Sequence, residues 1–195
     1  DELSVRNQRN PIEMIRSRVK KPQSIFEKLK RRGLPVTVES MRENLDDIAG
    51  VRVSCSFIDD IYDVSRMLAR QDDIRVIAIK DYIRSPKVNG YRSYHMILEI
   101  PVFFSNCKQY IRAEVQIRTI AMDFWASLEH KVRYKKNVPA DETERLAQEL
   151  SECAQISADL DQRMQNIRTR LADAELQHPQ KQKKDEQILL DVLGL

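Results

Sequence analysis

Cysteine and histidine are too scarce and too scattered in this chain to build a metal cage. The three cysteines, Cys55, Cys107 and Cys153, are odd in number, far apart and contain no CxxC pair. That argues against a disulfide framework or a thiolate zinc site and fits a reducing compartment. The three histidines, His95, His130 and His178, are equally dispersed. No stretch is long and apolar enough to span a bilayer, and the start lacks a signal-peptide h-region. The expectation is a cytoplasmic protein with no membrane partner. A GxSxG elbow and a Walker A loop are also missing, which removes those hydrolase and P-loop chemistries.

What is present is enough for one globular domain with an extension: 195 residues, 42% of them hydrophobic. The formal charge of +3 is modest, but its distribution is not even. Between Asp1 and Pro35 ten basic side chains face four acidic ones. Such a surplus focuses a polyanionic ligand, although a solvated helix face has the same composition.

Periodicity sets the expected elements. Ile12, Ile15 and Val19 recur at three- and four-residue spacing and predict a first helix. A second is expected from Ser24, capped by that residue with Glu27 completing a capping box, and ended by Gly33 and Pro35. Residues 48–57 alternate, with Val51, Val53 and Cys55 on one face and Arg52, Ser54 and Ser56 on the other, as in a strand with one polar face. A helix over 58–70 and a short strand over 74–79 follow. Strands over 94–100 and 110–118 are expected to pair antiparallel across a loop holding Pro101 and Asn106. In the second of these, Glu114, Gln116 and Arg118 oppose Val115 and Ile117. A helix over 121–134 comes next. Beyond Pro139, Leu146, Leu150, Cys153, Ser157, Leu160, Met164, Ile167, Leu171 and Ala174 form a 4-3-4-3 stripe, expected to pack on another helix or subunit. Residues 178–187 read as a polar, mobile stretch, and 188–195 as a short docking segment or tail.

The densest chemistry is Lys87-Val88-Asn89-Gly90-Tyr91-Arg92-Ser93-Tyr94-His95, a polar and basic run that opens an apolar strand. Asn-Gly breaks regular structure there, because glycine tolerates positive φ. Rings to stack on a base and cations to hold phosphates crowd one strand mouth. Asp47, just before the 48–57 strand, and Glu114 offer oxygen ligands suited to Mg²⁺. Their ordinary readings are a turn residue and a solvated sheet face. Arg18 and Lys20 lie next to Lys21-Pro22, and Arg52 interrupts a half-buried strand, where a charge usually has a partner or a ligand.

Four separated motifs resemble the synthetase domain of the RelA/SpoT family: Asp47-Ile48-Ala49-Gly50-Val51-Arg52, Gly90-Tyr91-Arg92-Ser93-Tyr94-His95, Glu114-Val115-Gln116-Ile117-Arg118-Thr119, and Phe124-Trp125-Ala126-Ser127-Leu128-Glu129-His130. Arg18-Val19-Lys20 and Ser24-Ile25-Phe26-Glu27-Lys28 agree in order and spacing, so that the resemblance covers residues 12–136. It implies an α/β (α+β) fold, a nucleotidyltransferase-like mixed sheet flanked by helices, with a C-terminal helical extension. The length resembles the small alarmone synthetases, with no space for the hydrolase and regulatory domains of long members. The expected division is a catalytic domain over 1–140 and a helical oligomerisation extension over 141–195.

The resemblance further implies transfer of the β,γ-pyrophosphate of ATP to the 3′-hydroxyl of GDP or GTP, giving ppGpp or pppGpp and AMP. Arg18 and Arg52 would flank adenine, while Lys20, Ser24 and Lys28 would complete the ATP site. Asp47 and Glu114 would hold Mg²⁺, Glu114 would orient or deprotonate the 3′-hydroxyl, and Gln116 would support it. Tyr91 would stack on guanine, with Lys80, Lys87, His95 and Asp123 completing the acceptor site. A homo-oligomer, a tetramer in small members, is implied, with no stable nucleic-acid partner. Lys80 and Asp123 depart from the pattern, standing where Arg and Asn are frequent. Lysine keeps the charge without the bidentate fork, and a carboxylate still accepts from the guanine N–H groups. Two alternatives use the same residues: pyrophosphorylation of a tRNA 3′ end, and non-catalytic nucleotide or RNA binding. The choice among GDP, GTP and GMP stays open.

Overall fold

The structure, a computed structural model, describes residues 9–133 and 139–177. In chain order the elements are β1 (Ile12–Val19), α1 (Pro22–Arg31), α2 (Val38–Asn44), β2 (Ala49–Cys55), α3 (Ile58–Ala69), β3 (Arg75–Asp81), β4 (Tyr94–Phe103), β5 (Lys108–Thr119), α4 (Ile120–Arg133) and α5 (Ala140–Gln177). One five-stranded sheet runs β1-β2-β5-β4-β3. β2 and β5 are parallel, and every other pair is antiparallel. The mixed sheet with flanking helices is the architecture that the sequence motifs imply.

Strand alternation divides the sheet into two chemically different faces. Val53 and Cys55 of β2, Val115 and Ile117 of β5, and Tyr94, Met96 and Leu98 of β4 are buried in one core with Ile61 and Val64 of α3. The intervening residues put Arg52, Glu114, Gln116 and His95 on the opposite face. Asp60 secures the start of α3 by accepting from Phe57 N–H at 3.1 Å.

Three expectations fail for physical reasons. The segment over 12–19 is an edge strand, not a helix, with its ladder to β2 running from Ile12↔Cys55 to Val19↔Ala49. Its β-branched residues suit a pleated surface, and Ile15 and Val19, which would have formed a buried helix face, are exposed. Ser24 does not cap α1. Lys21 is the N-cap, Pro22 opens the helix, and Glu27 instead accepts from Gln23 at 2.9 Å. Pro101 lies inside β4, opposite Tyr110 of β5. It is tolerated because pairing with β3 ends at Glu99, so no strand asks for the missing N–H on that side. α2 was not anticipated. Thr37 caps it by accepting from Ser40 N–H at 3.1 Å.

The long helix α5 docks on the body through a seam that is mostly polar. Buried Asp161 accepts from Thr119 at 2.8 Å, Gln165 bonds Asp59, and Trp125 Nε1 donates to the carbonyl of Leu150 at 2.9 Å. Ala154 packs against Gly90, whose φ is +83°. A Cβ at Gly90 would lie 2.4 Å from the Ala154 Cβ, so both the turn and the close approach require glycine. The predicted apolar stripe runs along a different side, with Leu160, Met164, Ile167 and Leu171 exposed. No helix among the described residues is long and apolar enough to cross a membrane. The segments expected over 178–187 and 188–195 lie outside the described residues.

Candidate active site

The polar sheet face is assembled by register. Arg18 of β1 sits opposite Gly50 of β2, which in turn sits opposite Glu114 of β5. One step along, Arg16, Arg52 and Gln116 form a second row. These six residues, with Ser17 and Val51, line a cavity of about 260 Å³. Because β1 is a strand, Arg16 and Arg18 share one face, which two residues that far apart on a helix would not. Gly50 leaves the middle of the first row open beneath the Arg18 side chain.

At the end of that cleft Asp47 binds two ammonium groups, Lys20 Nζ at 2.7 Å and Lys28 Nζ at 2.8 Å. Burial by itself would raise the Asp47 pKa, but the hydrogen bonds and charges of Lys20 and Lys28 outweigh it and bring it to about 2. Both lysines reach the same oxygen, Oδ2, leaving Oδ1 buried with no hydrogen-bond partner. Arg52 Nε is buried and unpartnered in the same way. An ionised acceptor and a cationic donor held ready in one cleft are unfavourable alone and suit a charged ligand.

Glu114 joins the cleft to the strand mouth. His95 Nδ1 lies 3.0 Å from its Oε1, and Gln116 Nε2 donates to its Oε2 at 2.9 Å. The hydrogen bond from His95 is the main reason that the Glu114 pKa is lowered, against burial and the nearby Asp47 charge, which push it up. Beyond His95, Nε2 is 2.8 Å from the Tyr91 hydroxyl. Lys87 Nζ stands 4.8 Å from the Tyr91 ring centre and 4.7 Å from that of Tyr82.

Buried Asp123 accepts from Arg118 Nη1 at 3.1 Å and pairs with Arg52 Nη1 at 3.4 Å. A carboxylate here is thus the counter-ion of two neighbouring guanidiniums, a physical reason for Asp at this position. Burial and the Arg118 charge both lower the Arg52 pKa, and Asp123 opposes them.

Residues 17–139 match the region found in RelA / SpoT proteins. The chain belongs to the RelA/SpoT family. A relative from Bacillus subtilis, GTP pyrophosphokinase YwaC, is 53% identical over 159 residues, covering 82% of this chain and 75% of that protein. The fold matches small alarmone synthetase 1 from Bacillus subtilis bound to its product pppGpp, with a TM-score of 0.77, 35% identity, and coverage of 88% of this chain and 86% of that one. The same synthetase bound to AMPCPP matches with a TM-score of 0.69 and 31% identity, covering 88% and 85%.

Against the family's implied site, the structure brings Arg18, Arg52, Glu114 and Gln116 to one cavity and groups Asp47 with Lys20 and Lys28. Tyr91, His95 and Lys87 form the adjoining cluster, and Asp123 ties it to Arg52. Two positions stand apart. Ser24 lies in the first turn of α1, and Lys80 is exposed on β3, opposite His95 in the ladder. Sequence reasoning missed Arg16, Tyr82 and the role of Arg118. The i, i+2 relation of Arg16 to Arg18 becomes informative only when the segment is read as a strand. Arg118 shares the alternating face of Glu114 and Gln116, a signal that was already in the sequence.

Proposed function

We propose that this chain is a small alarmone synthetase that moves the β,γ-pyrophosphate of ATP to the 3′-hydroxyl of GDP or GTP. The observation that carries this reading is Glu114, held ionised between the Arg16/Arg18/Arg52 cleft and the Tyr91–His95 cluster. ATP lies in the cleft, with Arg18 and Arg52 offering flat cations to adenine and Lys20 and Lys28 meeting its phosphates. The guanosine nucleotide lies on the other side of Glu114. Its base stacks on Tyr91 in place of Lys87, which swings to the phosphates, while His95 links Tyr91 to Glu114, Asp123 accepts from the base edge and Lys80 adds charge at the rim.

In the transfer the 3′-oxygen bonds to the β-phosphorus as the bond from that phosphorus to the α,β-bridging oxygen breaks. AMP leaves with that oxygen, and Glu114 accepts the hydroxyl proton. A carboxylate of lowered pKa is a weak base but stays ionised and well placed. That suffices in a loose transition state, where positioning and charge neutralisation outweigh proton abstraction.

Asp47 and Glu114 fit Mg²⁺, since both are ionised oxygen donors and Asp47 Oδ1 has no protein partner. Mg²⁺ is commonly held by one or two carboxylates together with substrate phosphates. When bound, Mg²⁺ neutralises charge on the transferred phosphates. The exposed apolar side of α5 supports a homo-oligomer, a tetramer, with 141–195 as its extension to the 1–140 catalytic part. A cytoplasmic location follows from the use of ATP and guanosine nucleotides.

The test is incubation with Mg²⁺, ATP labelled on the γ-phosphate, and GDP, GTP, GMP or deacylated tRNA in parallel. Label on a guanosine nucleotide with AMP release is the expected result. Label on tRNA alone, or no transfer despite ATP binding, would replace the reading.

A further inference from the structure

We propose that Arg118 is a positioning residue for the transfer, fixing Glu114 and the acceptor pocket through a closed ring of hydrogen bonds. The inference rests on the assignment of Glu114 and Tyr91 given above. Arg118 is almost wholly buried, with its side chain 4% exposed. Its Nη2 donates to the Tyr91 hydroxyl at 2.6 Å and to Gln116 Oε1 at 2.8 Å. Nη1 donates to Asp123, and Nε to Ser93 Oγ at 3.2 Å.

Two arms leave that one nitrogen and end on the two oxygens of Glu114. The short arm passes through Gln116, whose Oε1 takes the Arg118 proton while its Nε2 donates to Glu114 Oε2. The long arm passes through Tyr91 and His95 to Glu114 Oε1.

Donor chemistry gives both arms a direction. An ionised carboxylate only accepts, so the proton on His95 Nδ1 points at Glu114. In the neutral imidazole His95 Nε2 is then the acceptor, and the Tyr91 hydroxyl donates to it. That hydroxyl receives from Arg118, which cannot accept. Gln116 is oriented likewise, its carbonyl toward Arg118 and its amide toward Glu114. Glu114 sets the His95 tautomer, while the single guanidinium of Arg118 sets the Gln116 orientation and anchors the Tyr91 hydroxyl, and so holds both arms that end on the Glu114 carboxylate. Such rings strengthen cooperatively, and cutting one bond loosens the rest. The Arg118 guanidinium also sits 5.2 Å from the Tyr91 ring centre, holding the surface on which the acceptor base would stack.

The experiment compares Arg118→Lys, Tyr91→Phe and the double variant in the full chain, measuring kcat, both KM values and thermal unfolding. Lysine keeps the charge beside Asp123 but cannot donate in the forked geometry. Arg118→Lys is expected to lower kcat about tenfold or more and to raise the guanosine-nucleotide KM, with the ATP KM within about twofold. Tyr91→Phe keeps the ring and cuts the long arm, so kcat is expected to fall while the guanosine KM moves less. In the double variant the losses should be smaller than the product of the singles, because both act on one arm.

Fully multiplicative losses, or an ATP KM that rises as much as the guanosine KM, would reduce Arg118 to a packing residue. Should Arg118→Lys fail to fold, Tyr91→Phe decides alone, since a wild-type kcat there overturns the relay. A wild-type protein that transfers to no guanosine nucleotide overturns the assignment of the pocket and the role of Arg118 with it.

Discussion

His95 and Glu114 meet diagonally across the β4–β5 ladder, His95 Nδ1 3.0 Å from Glu114 Oε1. Replacing Glu114 by Gln removes the charge and also mismatches the site. The new amide nitrogen must face a donor, either His95 Nδ1–H or the Gln116 amide. Glu114→Gln should lower transfer by about 10²–10⁴-fold while most ATP affinity remains, because the proposed contact is with the acceptor hydroxyl. Steady-state kinetics beside ATP titration checks this, and equal turnover in variant and wild type would remove Glu114 from the chemistry.

The Asp47 ion triad gives an acid-stability prediction with a definite sign. Its carboxyl pKa is lowered from the ordinary 3.8 to about 2 by Lys20 and Lys28, despite burial. The stabilisation is present above the ordinary value and is lost as pH falls through the folded one. Between pH 5 and pH 2 the wild type should therefore lose about 2 kcal/mol more than Asp47→Asn does. At neutral pH the variant leaves Lys20 and Lys28 facing each other without their counter-ion, and it should be the less stable protein. Denaturant unfolding of the nucleotide-free protein across that pH range measures both effects. Parallel acid limbs for the two proteins would mean that the triad is not coupled to folding.

Local alternation and turn chemistry made much of this fold legible. Val51-Arg52-Val53 and Val115-Gln116-Ile117 each announced a strand with one apolar face, and the structure joins them as parallel neighbours. That adjacency, which brings Glu114 beside Gly50 and Arg52, has no signature in either segment alone. Residues 12–19 carry a helical period because Ile12, Ile15 and Val19 happen to fit it, while the partner that makes them a strand lies at 49–55. Tertiary pairing overrode local pattern. Motifs carry most of the candidate residues and the Arg118–Gln116 pair, whereas the contacts of Arg118 with Tyr91 and of Tyr82 with His95 exist only in the folded sheet.

Gly90 should tolerate no side chain. Its φ of +83° costs an L-residue about 1–2 kcal/mol, and a Cβ there would collide with the Ala154 Cβ of α5. Gly90→Ala should lower the melting temperature by about 4–8 °C, from a destabilisation of about 2 kcal/mol. Adding Ala154→Gly should recover part of that loss by removing the collision, though not the backbone strain. A thermal melt of both variants tests it, and no recovery in the pair would mean that backbone strain alone sets the cost.

The exposed apolar side of α5 makes the proposed assembly testable apart from the chemistry. Leu160, Met164, Ile167 and Leu171 are 45–61% exposed, and Leu160 and Met164 line a groove of about 700 Å³ with Ile120 and Phe124 of α4. An exposed apolar stripe of this kind marks an interaction surface. The residues that dock α5 on its own body, Ala154, Asp161 and Gln165, lie on another side of the helix and are buried. Leu160→Glu with Met164→Glu should therefore dissociate the assembly without unfolding the chain, because the charges enter only the outward stripe. Light scattering coupled to size exclusion should show an oligomer for the wild type and a lower mass for the double variant, with helical circular dichroism preserved. A wild type that runs as a 22.9 kDa monomer would sink the oligomer. Loss of helicity in the variant would mean that the stripe is part of the body's own core.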